Sequence, residues 1–119
     1  MGDTKKNLQD AFAGESQANR RYLFFAEKAK EEGKPCYAKL FRAAAEAETV
    51  HARNHLRVLG IGSTKENLQA AINGEHYEFT QMYPGFIEQA KAEGNKKAET
   101  TFDLANKVEK IHHSSTKRR

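Results

Sequence analysis

The chain has no tryptophan, one cysteine and only two prolines. The lone Cys36 excludes an intramolecular disulfide, and with it any iron or zinc site built from cysteine pairs within one chain. Cys36 itself reads as a buried or half-buried residue at a helix start rather than as a reactive thiol. The lack of tryptophan and a hydrophobic content of 38% leave a modest, alanine-rich core in a chain the size of one domain. No apolar run is long enough to span a membrane, and no signal-peptide pattern is present, so the expected compartment is the cytoplasm. Strand-like alternation is missing throughout, which leaves an all-α chain. The excess of one charge is small too: of the net +4, Lys117, Arg118 and Arg119 carry three charges, and the other basic residues are interleaved with acids. Without an aromatic–basic surface pattern, no nucleic-acid partner is expected.

What is present is a repeat. Glu48-Thr49-Val50-His51 returns as Glu109-Lys110-Ile111-His112, 61 positions later. Ala13-Gly14-Glu15 returns as Asn73-Gly74-Glu75, at an offset one residue shorter. Thr4–Leu8 matches Thr64–Leu68, Glu32-Gly33 matches Glu93-Gly94, and Phe41 matches Phe102. One residue therefore entered the second copy between Glu75 and Glu93. Met82-Tyr83-Pro84-Gly85 is the expected place, with the extra residue absorbed as a π-bulge and Pro84 favouring a kink.

Each copy reads as a helical hairpin. The first helix carries Leu8, Phe12, Glu15, Tyr22, Ala26 and Ala29 at alternating spacings of three and four. Gly33 stops it and Pro35 starts the next, whose stripe is Phe41, Ala44, Glu48, His51, His55 and Val58. Gly60 and Gly62 break the second helix, and Ser63-Thr64-Lys65-Glu66 has the capping-box pattern that opens the third. That third stripe runs Leu68, Ala71, Ile72, Glu75, Glu78, Phe79 and Met82; after Gly94 the fourth carries Ala98, Phe102, Ala105, Glu109 and His112.

Glu15, Glu48, Glu75, Glu78 and Glu109 all fall on apolar stripes that hold no Arg or Lys. One glutamate on a helix is ordinarily solvated. Five on the inner stripes of four helices are another matter, because buried carboxylates must be paired or bound to metal. His51 and His112 each follow a Glu by three positions, one helical turn, so the side chains of each pair point at one spot. Five carboxylates and two imidazoles suit two divalent ions such as iron or manganese in a helical bundle. His55, one turn beyond His51, reads as a residue standing behind the ligands or as packing; His76 and His113 read as exposed.

With those residues in place, the chain resembles the diiron domain of the rubrerythrins, in the ferritin-like superfamily. The matching stretches are Asn7-Leu8 with Ala11–Tyr22, Leu40–Arg42, and Ala45–Glu48 with His51-Ala52. In the second half they are Asn67-Leu68, Ala71-Ile72, Gly74-Glu75, Glu78, Met82–Pro84 and Val108–His112. The resemblance implies a ferritin-like four-helix bundle over residues 1–112 with two iron ions, for which Mn or Zn are possible substitutes. In it Glu48 and Glu109 bridge the ions, Glu15 binds one, and Glu75 with His112 binds the other. Glu78 and His51 are alternatives on the first ion, carboxylate when oxidised and imidazole when reduced. Tyr22 and Tyr83 match tyrosines that hydrogen-bond the site's carboxylates. The implied activity is reduction of hydrogen peroxide to water, in protection against oxidative stress; a ferroxidase or iron-handling role shares the same site. Many members carry a four-cysteine rubredoxin domain. With Cys36 alone, this chain is expected to take electrons from a separate, rubredoxin-like donor. Residues 113–119 read as a basic, disordered tail.

Assembly follows from a length. In the ferritin-like topology the second and third helices run parallel, so their connection must travel along the bundle. To bring His51 and Glu75 to one level it must cover roughly 28 Å at 1.5 Å per helical residue. Gly60–Ser63 reaches at most roughly 18 Å when extended. The expectation is a domain-swapped homodimer in which each site takes Glu15, Glu48 and His51 from one protomer and Glu75, Glu78, Glu109 and His112 from the other; the alternative is an up-down-up-down monomer, in which the short loop suffices but the family's topology is lost.

Overall fold

A computed structural model describes residues 3–117. The helices are α1 (Thr4–Glu31), α2 (Pro35–Leu59), α3 (Thr64–Tyr77), α4 (Tyr83–Ala92) and α5 (Lys96–Lys117), with a π-helical turn, Glu78–Met82, joining α3 to α4. No strand occurs among the described residues. The chain separates into two compact units, Met1–Ile61 and Gly62–Arg119, so the boundary of the sequence repeat is also a structural one.

Both hairpins turn in the same way. Gly33 and Gly94 have φ of 71° and 68°, the left-handed conformation that lets a helix end in a Schellman motif. In the first, the Lys34 amide donates to the Ala29 carbonyl at 2.8 Å and the Gly33 amide to that of Lys30 at 3.0 Å. In the second, Asn95 donates to Ala90 at 2.9 Å and Gly94 to Lys91 at 3.1 Å. The next helix is started differently in each. Lys34 gives no side-chain cap and relies on Pro35, whereas Asn95 Oδ1 accepts from the Ala98 amide at 3.0 Å.

The buried apolar side chains are Ala26, Ala29, Ala38, Ala45 and Ala90. Such small residues let α1 approach α2, and α4 approach α5, closely. Around them stand two matched aromatic triads. Tyr22, Phe25 and Phe41 have ring centroids 5.5–6.3 Å apart, and Tyr83, Phe86 and Phe102 are 5.4–6.2 Å apart. All three pairs of counterparts keep the longer offset, so the inserted residue lies before Tyr83. The π turn occupies that stretch: the Tyr83 amide bonds to the Glu78 carbonyl, five residues back. The bulge thus begins upstream of the expected Met82–Gly85, with Pro84 in the first turn of α4 rather than at its centre.

The capping box at Ser63 is formed in full. The Glu66 amide donates to Ser63 Oγ at 3.2 Å, and the Ser63 amide to Glu66 Oε1 at 3.0 Å. Two expectations are corrected: Cys36, in the first turn of α2, is exposed rather than buried or half-buried, and α5 continues to Lys117, so residues 113–117 are helical and not a disordered tail. No Gly or Pro interrupts the chain after Gly94, and nothing local ends the helix at His112. Residues 118 and 119 lie outside the described residues.

Candidate metal centre

Two groups of side chains come together, one in each hairpin. In the first, Glu15 from α1 meets Glu48 and His51 from α2; in the second, Glu75 from α3 meets Glu109 and His112 from α5. Within each group one ligand atom per residue lies within 4.8 Å of the others. The i, i+3 spacing of Glu48 with His51, and of Glu109 with His112, sets two ligands on one helix face, and the packed neighbour brings the third.

The groups are not equally tight. His51 Nδ1 is 3.0 Å from Glu15 Oε1 and 3.7 Å from Glu48 Oε1. His112 Nδ1 is 3.9 Å from Glu75 Oε2. The glutamates are half-buried, and both histidines are exposed. A polar bridge beside Glu48 ties α1 to α2: Asn19 Nδ2 donates to the Ala45 carbonyl and to Thr49 Oγ1, each at 2.8 Å.

The donor set fits a hard divalent cation. Oε2 of Glu75 and of Glu109 are buried and lack a hydrogen-bond partner, and the buried Oε2 of Glu15 has only a close, unaligned approach from the His55 imidazole. A carboxylate oxygen held away from water without a donor is costly, and a cation between the carboxylates would remove that cost. Carboxylate and imidazole together suit iron, manganese or zinc.

Glu78, on the π turn, belongs to neither group. Partial burial raises its carboxyl pKa, and the charge of Glu75 adds to the shift. Tyr22 and Tyr83 sit in the aromatic triads, and within its own hairpin neither hydroxyl bonds to a ligand carboxylate. His76 is exposed, as expected, with its ring edge-on to Phe79. His55 is not a bystander: its Nε2 stands 2.5 Å from Glu15 Oε2. The matched triads were legible only in part, since Phe41 with Phe102 showed in the repeat but Phe25 with Phe86 becomes visible once the insertion is placed before Tyr83. No helix among the described residues is long and apolar enough to cross a membrane.

The sequence model of the family described as Rubrerythrin matches residues 6–62 and, again, 57–118. Rubrerythrin-2 of Clostridium acetobutylicum is 42% identical, over 88% of this chain and 65% of its own length. Rubrerythrin of Porphyromonas gingivalis is 44% identical, over 92% and 62%. Nigerythrin of Nitratidesulfovibrio vulgaris is 36% identical, over 94% and 63%. The chain thus spans somewhat less than two thirds of the length of these relatives.

Proposed function

The chain belongs to the rubrerythrin family, and we propose that it is a diiron peroxidase that reduces hydrogen peroxide to water in the cytoplasm. Its fold is all-α and of the ferritin-like class. The observation that carries the proposal is the duplicated Glu/Glu/His group, with a buried, unpartnered carboxylate oxygen on Glu75 and on Glu109. When bound, an iron pair supplies the two electrons that, with two protons, convert peroxide to two waters.

The residues of the chain take distinct parts in this reading. Glu48 and Glu109 bridge the pair, Glu15 holds one ion, and Glu75 with His112 holds the other. Glu78 and His51 are alternatives on the first ion, according to oxidation state, since a ferric ion favours carboxylate and a ferrous ion accepts imidazole. Glu78 is also the carboxylate readiest to carry a proton, because burial and the charge of Glu75 favour its neutral form. Tyr22 and Tyr83 donate from their hydroxyls to carboxylates of the facing hairpin once a bundle is assembled. Electrons come from a separate, rubredoxin-like protein. Mn or Zn can occupy the same ligands.

The assembled bundle is, on this proposal, a domain-swapped homodimer. α2 ends at Leu59 and α3 starts at Thr64, so the four-residue connection of the length argument is the observed one. The apolar surface supports an obligate partner. Phe24, Leu40, Val58, Leu104 and Ile111 are each at least 60% exposed, while the buried side chains among the described residues are all alanines. Complementation tests it. Glu15→Ala and Glu75→Ala chains, refolded together, should regain about a quarter of the paired sites, because the swapped heterodimer holds one intact site. Sites formed within single chains would regain none.

Activity is tested by turnover of peroxide against oxygen with the same supplied reductant. Faster peroxide turnover supports the peroxidase. Faster oxygen turnover, with iron oxidised and retained, would replace it by the ferroxidase reading.

A further inference from the structure

We infer that His55 is a positioning residue for Glu15, one that fixes which carboxylate oxygen faces the metal ligands; the inference rests on the dinuclear reading above. Glu15 lies between two imidazoles of α2. Its Oε1 is 3.0 Å from Nδ1 of His51, inside the ligand group, and its Oε2 is 2.5 Å from Nε2 of His55. His55 follows His51 by four positions, so the two side chains lie on one face of α2 and meet the carboxylate from adjacent turns. Both partners are partly shielded, His55 at 30% and Glu15 at 27% side-chain exposure.

No other described donor reaches Glu15 Oε2, which is buried. The approach is not aligned as a hydrogen bond, so it is a close contact of imidazole and carboxylate. A carboxylate with one oxygen against the His55 ring is restricted about its last torsion. It then presents the remaining oxygen, Oε1, to an ion beside Glu48 and His51. That is the arrangement by which groups behind the ligands orient them and raise metal affinity.

The second hairpin lacks the device. The repeat puts Thr116 where His55 would fall. The imidazole nearest Glu75 is that of the ligand His112, with Nδ1 3.9 Å from Oε2. The duplicated site is therefore braced on the Glu15 side only, and the two ions are expected to bind unequally.

The test is an anaerobic ferrous titration followed by calorimetry, on the full chain and on His55→Ala and His55→Gln, with thermal unfolding of each metal-free protein alongside. Wild type should take two ions per composite site. In His55→Ala one binding step should weaken about 10–100-fold and the other should hold. His55→Gln, whose amide nitrogen reaches nearly as far as Nε2, should recover most of the loss. A shift in metal-free Tm with an unchanged isotherm would show a packing role and overturn the inference, while leaving the dinuclear reading intact. Loss of a whole ion in both variants would make His55 a ligand, which also overturns it. Wild type that binds well under two ions per site would instead remove the dinuclear reading, and the inference with it.

Discussion

The two hairpins share a plan and differ in how they hold it. Each ends its first helix in a Schellman motif at glycine, stacks a Tyr–Phe–Phe triad beside the turn, and sets a glutamate against Glu-x-x-His. Against this common frame the differences are few and local. The first hairpin has His55 behind its lone glutamate, and its ligands are within 3.0–3.7 Å. The second has an extra residue, a π turn and Glu78, and its closest recorded pair stands at 3.9 Å. Duplication preserved a Glu/Glu/His group in each half, and divergence added one distinct side chain to each. In the proposed dinuclear site, a half braced by His55 and a half without that brace can distinguish two ions.

The largest effect that would break the comparison comes from the shared ligands. Glu48→Ala and Glu109→Ala should each abolish paired metal binding, read as metal per chain after anaerobic loading. Full retention of two ions in either variant would count against bridging. Next comes the asymmetric pair of Glu78 and His51. Structures of oxidised and reduced protein should show Glu78 bound and His51 withdrawn in the first, and the reverse in the second. An identical ligand set in both states would remove the functional meaning of the π turn.

Smaller effects sharpen the structural side. Gly33→Ala and Gly94→Ala should cost about 1–2 kcal/mol each, by the same amount, because both glycines hold positive φ with open space around the missing Cβ. Unequal losses in denaturant melts would show that one turn matters more than its copy. Helix starts should behave in the opposite way: Asn95→Ala should cost about 1 kcal/mol and Lys34→Ala close to none, since only Asn95 caps with its side chain.

The least effect is a pair of opposed pH dependences within α3 and the π turn. Glu66 is held below its ordinary value of 4.5 by hydrogen bonds from Ser63. Its contribution is present above 4.5 and is lost as pH falls through the lowered value. Glu78 is raised above 4.5, so in the metal-free protein its contribution is present below 4.5 and is lost as pH rises through the raised value. Stability profiles of metal-free Glu66→Gln and Glu78→Gln should therefore differ from wild type with opposite slopes. Parallel profiles would refute the assignment.

Much of this was decided by the sequence alone, and for a physical reason. Helix geometry is local: Glu48 with His51 and Glu109 with His112 face one way whatever surrounds them, Gly33 and Gly94 end their helices, and Ser63 with Glu66 starts one. Repetition then carried the argument across the chain, because two copies of a costly pattern are hard to explain without a ligand. Tertiary structure decided the rest. That Oε2 of Glu15 meets His55, that the bulge begins at Glu78, and that Tyr22 stacks on Phe41 depend on the register and separation of packed helices. No spacing along a single helix encodes those quantities.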